Sequence, residues 1–159
     1  MSNALTIVSR RRFCAGGCQV ASCAALAALA SACGGSSPTS PSGGGGASTL
    51  GTLAGQFSGS GVQVTADGSA LANVGGAVLV QSVAGLFLVA RTSASTFTAV
   101  DAICTHESCT ITGADGDIYV CPCHGSRYSR SGQVLAGPAQ ASLRQYATSF
   151  ANGTVTIAI

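Results

Sequence analysis

Two short stretches concentrate the residues able to grip a metal: Cys104-Thr105-His106 and, after a gap of fourteen residues, Cys121-Pro122-Cys123-His124. Each offers a thiolate and an imidazole two or three residues apart, so both donors of one loop can face the same ion. Two such loops close a site of two soft sulfurs and two nitrogens, a set that suits iron or zinc. One cysteine remains over in each half, Cys109 and Cys123. Eight cysteines in 159 residues are more than an ordinary cytosolic protein carries unless they hold metal. The rest of the composition narrows the field further. With 47% hydrophobic and 8% charged residues the chain has room for one domain. Its formal charge is +2, and three of its seven arginines stand together at residues 10–12. From residue 33 onward the net charge is −1, which excludes electrostatic steering onto nucleic acid.

The elements that must position these loops read as strands. Between about Leu50 and Ile159 the apolar residues come in short runs, rich in β-branched side chains and split by glycine. Strands are expected over Gly61–Thr65, Ala77–Gln81, Gly85–Ala90, Phe97–Ala102, Asp117–Val120, Leu143–Thr148 and Thr154–Ile159. Asp67-Gly68, Gly75-Gly76, Asp115-Gly116, Ser131-Gly132 and Asn152-Gly153 are turn pairs, the last closing a terminal hairpin. Many short strands at this spacing make an all-β fold, a small antiparallel barrel or sandwich. No internal repeat is visible.

Cys-x-His followed by Cys-x-x-His resembles the Rieske 2Fe-2S proteins. The longer stretches Cys104-Thr105-His106-Glu107-Ser108-Cys109 and Cys121-Pro122-Cys123-His124-Gly125-Ser126 are similar to their two cluster-binding loops. The resemblance covers about residues 60–159. It implies a Rieske-type barrel or sandwich whose cluster-binding subdomain consists of two loops. It also implies that Cys104 and Cys121 bind one iron of a 2Fe-2S cluster and His106 and His124 the other, the arrangement that raises the potential. Two ferric ions, two sulfides, two thiolates and two neutral imidazoles leave that centre uncharged, so an added electron meets less repulsion than on four thiolates. Cys109 and Cys123 match the disulfide pair of the high-potential branch. Ser126 and Tyr128 match positions whose hydroxyls donate to a bridging sulfide and to the sulfur of the first cysteine ligand, here Cys104, favouring the reduced state. Gly137-Pro138-Ala139 resembles the start of the proline-containing loop on the third side of the cluster. Arg127 and Arg130 read as solvated loop charges.

Ahead of the domain, Ser9-Arg10-Arg11-Arg12-Phe13 and the charge-free apolar run Cys14 to Ala32 resemble a twin-arginine export signal, so residues 1–32 are set apart from the fold. Leu29-Ala30-Ser31-Ala32-Cys33 resembles a lipoprotein box in which Cys33 would carry the lipid anchor; cleavage alone and retention of the segment as an anchor are the alternatives. Residues 33–49 are a flexible Gly/Ser/Pro linker without an apolar anchor, and residues 50–159 form the domain. The expected location is the periplasmic side of the bacterial cytoplasmic membrane or the cell envelope.

The resemblance implies a one-electron carrier without catalysis of its own, acting as a relay or as a subunit of a quinol-oxidising or arsenite-oxidase-like complex. Its partner would be a cytochrome or oxidoreductase complex, or quinol, which the second-loop histidine, here His124, meets in quinol-oxidising complexes. One departure opposes quinol. Where those proteins continue the first loop with an apolar residue and a glycine, this chain has Glu107 and Ser108, and a carboxylate entering an apolar pocket costs several kcal/mol unless paired. A ferredoxin-type donor to an oxygenase and a zinc-stabilised binding module are the alternatives.

Overall fold

The computed structural model describes residues 46–159. The expected export segment, the anchor candidate Cys33 and most of the expected linker lie outside the described residues. The strands follow in order as β1 (Ser48–Thr49), β2 (Gly51–Ala54), β3 (Gln56–Ser58), β4 (Gly61–Thr65), β5 (Ala77–Ser82), β6 (Gly85–Arg91) and β7 (Phe97–Asp101). They continue as β8 (Gly113–Asp115), β9 (Ile118–Val120), β10 (Arg127–Ser129), β11 (Val134–Ala136), β12 (Gln145–Tyr146), β13 (Thr148–Ala151) and β14 (Thr154–Ala158). No helix among the described residues is long and apolar enough to cross a membrane.

Three sheets result, ordered β1-β8-β9-β10-β11, β12-β7-β6-β5-β2 and β13-β14-β4-β3. Every strand pairing is antiparallel except that of β2 with β5. The second sheet is the middle layer, and its sequence says why. Ala77 to Val80 and Phe87 to Ala90 are buried without interruption, where a strand with one solvated face would alternate. Leu79, Leu88 and Val100 point into one core with Ile111, Tyr119, Tyr128 and Leu143. Val78, Val80, Phe87 and Val89 point into the other with Val62, Val64, Val155 and Ile157. Cys104 and Cys121 belong to the first core, so the candidate metal-binding loops grow directly out of packed structure.

The all-β expectation holds, with differences at element boundaries. Ser48 and Thr49, placed in the linker, pair with Ala114 and Gly113. The single strand expected over Leu143–Thr148 is two: β12 joins β7 in the middle sheet, whereas β13 joins β14 in the third. The chain changes sheets at Ala147, and short segments of this kind make the corners of packed sheets. At the terminal hairpin Asn152 and Gly153 both take positive φ, 50° and 73°, as the expected tight turn between β13 and β14 requires.

Candidate metal centre

Loop one leaves the middle sheet after β7 and is pinched at its neck by an isolated bridge between Ile103 and Thr110. Loop two connects β9 to β10, whose ladder closes at Val120 and Arg127. The loops share one backbone design. Cys104 N–H donates to the Cys109 carbonyl at 2.8 Å and Ser108 N–H to the Cys104 carbonyl at 2.9 Å. Correspondingly, Cys121 N–H donates to the Ser126 carbonyl at 2.9 Å and Gly125 N–H to the Cys121 carbonyl at 3.0 Å. The residue in fifth place is left-handed in both, with φ 56° at Ser108 and 72° at Gly125. A side chain there is strained by about 1 kcal/mol, and glycine is not. Ser108→Gly should therefore stabilise the domain by about 0.5–1 kcal/mol in denaturant unfolding; a destabilised variant would show that loop one is not held in this conformation.

This common turn buries the first residue of each loop. Cys104 is 2% and Cys121 1% exposed, and neither is disulfide-bonded. His106 and His124 lie further out with edges open to solvent, their ring centroids 4.9 Å apart in a T-shaped arrangement. Cys109 and Cys123, the two cysteines left over, are joined in a disulfide that ties loop one to loop two, with Cα atoms 6.5 Å apart.

Buried hydroxyls line the base of the site. The Tyr128 hydroxyl lies 3.2 Å from Cys104 Sγ and 3.1 Å from Thr105 Oγ1, and accepts from Thr105 N–H at 3.3 Å. Thr105 commits its only hydroxyl proton to the Ala141 carbonyl at 2.6 Å. With Cys104 as a thiolate, its metal-binding form, Tyr128 is thus the donor to sulfur. Ser126, fully buried, accepts from Ala139 N–H at 3.1 Å, and its own proton has no acceptor among the described residues. These two bonds, Thr105 to Ala141 and Ala139 to Ser126, fasten a third loop around Gly137-Pro138-Ala139 to the first two.

The two thiols differ. Burial pushes the Cys104 thiol up, but hydrogen bonds from the Tyr128 hydroxyl, the His106 and Glu107 backbone and Cys121 outweigh it, leaving a lowered pKa. For Cys121 burial prevails, reinforced by Cys104, and the pKa is raised.

These residues fit a 2Fe-2S cluster. Cys104, Cys121, His106 and His124 could supply its two sulfur and two nitrogen ligands. The unpaired Ser126 proton and the Tyr128 donor suit a group that carries sulfur acceptors, whereas hydroxyl protons would oppose a bare cation.

Three features of the site are not visible in the sequence. Thr105 bridges Tyr128, to which its backbone N–H donates, and the third loop, to which its hydroxyl donates. The Glu107 carboxylate lies between the histidines, 3.9 Å from His106 Nε2 and 3.7 Å from His124 Nδ1. Arg127 and Arg130, expected as solvated charges, are tied to the protein. Arg127 pairs with Asp115 at 2.6 Å, and Arg130 donates to the Gly116 carbonyl while stacking 4.5 Å above the Tyr119 ring. Burial, partly offset by Arg130, pushes the Tyr119 phenol up to about 12.

Among known proteins, the chain is 38% identical over 63 residues to the cytochrome b6-f complex iron-sulfur subunit of Chlorobaculum tepidum, covering 39% of this chain and 35% of that one. It is 40% identical over 75 residues to cytochrome b6-f complex iron-sulfur subunit 1 of Nostoc sp. PCC 7120, covering 45% and 42%. The match thus spans well under half the length of these relatives. Among solved structures, the complex of reduced oxygenase and oxidised ferredoxin in carbazole 1,9a-dioxygenase contains a similar chain. It has 26% identity and a TM-score of 0.50, over 59% of this chain and 96% of that one. The model of the Rieske [2Fe-2S] domain matches residues 61–147, more than half of the chain, and the protein belongs to that family.

Proposed function

We propose that this chain is an exported carrier of single electrons, in which Cys104 and Cys121 hold one iron of the cluster and His106 and His124 the other. When bound, the cluster supplies a reversible one-electron couple. The chain's own residues set the conditions for it. Cys104 and Cys121 would hold it against the packed core, the disulfide ties the two loops to each other, and His106 and His124 would complete its ligands at the solvent-facing side. The observation that carries this reading is the Tyr128 hydroxyl 3.2 Å from Cys104 Sγ, a buried donor aimed at a ligand sulfur. Donors to sulfur stabilise the reduced state, which supports a high potential for this protein.

The disulfide suits an oxidising compartment, in agreement with an export signal over residues 1–32. In this reading residues 33–47 are the tether, residues 48–159, which begin with the paired Ser48 and Thr49, the working domain, and Cys33 the lipid anchor on the periplasmic side of the membrane. Fifteen linker residues have a root-mean-square reach of about 20 Å, enough to let the head turn while staying near the bilayer. The relatives in Chlorobaculum tepidum and Nostoc are cytochrome b6-f subunits, which supports a cytochrome or an oxidoreductase complex as partner, with quinol as the alternative donor. The likeness to the carbazole dioxygenase complex favours a second reading, an electron donor to an oxygenase.

A potentiometric titration separates the two. Carriers of the high-potential branch lie toward the upper end of about −150 to +300 mV, and a value near the lower end would favour the oxygenase donor. If the Tyr128 bond is worth about 1.5 kcal/mol more in the reduced state, Tyr128→Phe lowers the potential by about 60 mV with the cluster retained, and Ser126→Ala acts in the same direction. Unchanged potentials in both variants would refute the tuning roles.

A further inference from the structure

We propose that Glu107 makes the outer face of the two loops an anionic docking surface for a redox protein whose own exposed centre is ringed by lysine or arginine side chains. The inference rests on the electron-transfer reading and names the chemistry of the partner. Its first support is position. The matching backbone hydrogen bonds align loop one with loop two residue for residue, and Glu107 falls in fourth place, where loop two has His124. The same turn that projects the second histidine outward therefore projects this carboxylate. The side chains agree with the backbone: ligand atoms of His106, Glu107 and His124 all lie within 4.8 Å of one another, and the Glu107 side chain is 60% exposed.

The second support is what surrounds it. On residues 104–109, 121–126 and 137–141, which make up the three loops, Glu107 is the sole formally charged side chain. No arginine of these loops offsets it, and Arg127, which directly follows loop two, is paired with Asp115. None of the exposed large apolar side chains, Phe57, Val74, Val83, Leu135 and Ile159, stands on these loops. An apolar pocket would have to strip water from an unpaired carboxylate. A cationic rim instead pairs with it at the edge of the histidines. The group that the loops hold gains one negative charge on reduction, so attraction is greatest before an electron is handed over and weaker afterwards, which helps the partner leave.

The test uses the full-length, cluster-loaded protein and two small oxidants of opposite charge, tris(phenanthroline)cobalt(III) and ferricyanide. Each takes one electron from the reduced protein and is itself reduced by one. The parent should be oxidised by the cobalt complex at a rate that falls with ionic strength. Glu107→Gln should slow this about fivefold at low salt and speed the ferricyanide reaction, while Glu107→Asp keeps the parent pattern. Midpoint potentials of all three proteins correct for driving force. A readout independent of electron transfer is the redox-inert hexaamminechromium(III) cation. Its binding should ease power saturation of the reduced cluster's resonance signal in the parent and much less in Glu107→Gln. Equal driving-force-corrected rates and equal saturation in parent and Glu107→Gln overturn the docking surface while the cluster signal itself stands. Absence of that signal from the parent overturns the electron-transfer reading and this inference with it.

Discussion

Serine in place of Cys104 or Cys121 is expected to leave a folded domain that retains less than about a tenth of the parent's iron and acid-labile sulfide. Both positions are buried at the base of matching turns, and both side chains belong to the core between the first and second sheets. Serine is close in shape to cysteine, so the β-strands on either side keep their packing. What is lost is a soft ligand that ionises readily; a hydroxyl does not give up its proton near neutral pH. At Cys104 the loss is compounded, because Tyr128 and the backbone N–H groups of His106 and Glu107 are arranged around a thiolate. Metal and sulfide analysis, with circular dichroism to confirm the fold, measures the effect. Full loading of either variant would show that the cysteine is not a ligand.

Breaking the Cys109–Cys123 bridge has the next largest expected effect. The bridge closes a segment with a sequence separation of 14, and restoring that freedom to the unfolded chain costs about 3 kcal/mol of stability. The folded state loses as well. Loop one is otherwise joined to its surroundings mainly by the neck bridge at Ile103–Thr110 and the Thr105 contacts, and loop two by the Ser126 bond to Ala139. The Cys109→Ser/Cys123→Ser double variant avoids a free thiol and should show both a lower unfolding midpoint in denaturant and faster bleaching of the cluster in air. A double variant matching the parent in both measurements would remove the bridge from the account.

The four candidate ligands stand out in the sequence by residue type and short spacing, whereas the pairing of Cys109 with Cys123 and the place of Tyr128 came only from the resemblance to the Rieske proteins. The strands of the middle sheet are legible too: Ala77 to Val80 and Phe87 to Ala90 are apolar enough to be recognised without knowing what covers them. The correspondence between the loops was not legible. It is written in backbone hydrogen bonds, and the side chains at matching places differ, His106 against Cys123 and Glu107 against His124. Even the left-handed fifth place is glycine in one loop and serine in the other. Thr105 escaped notice because its partner Ala141 is 36 residues away. Strands β8, β10 and β11 are three residues each, too short for period-two alternation to stand out, and they exist because neighbours supply their ladders. Arg127 and Arg130 looked like free charges because Asp115, Gly116 and Tyr119 come beside them only once β9 and β10 pair.

The central claim is that two sulfurs and two imidazoles grip a pair of irons unsymmetrically. Pulsed electron paramagnetic resonance of the anaerobically reduced, iron-loaded protein tests it most directly. The account predicts a Rieske-type signal with hyperfine coupling to two imidazole nitrogens, one of which disappears when His106 or His124 is replaced. A reduced signal without nitrogen coupling, or no signal at full iron loading, would contradict it.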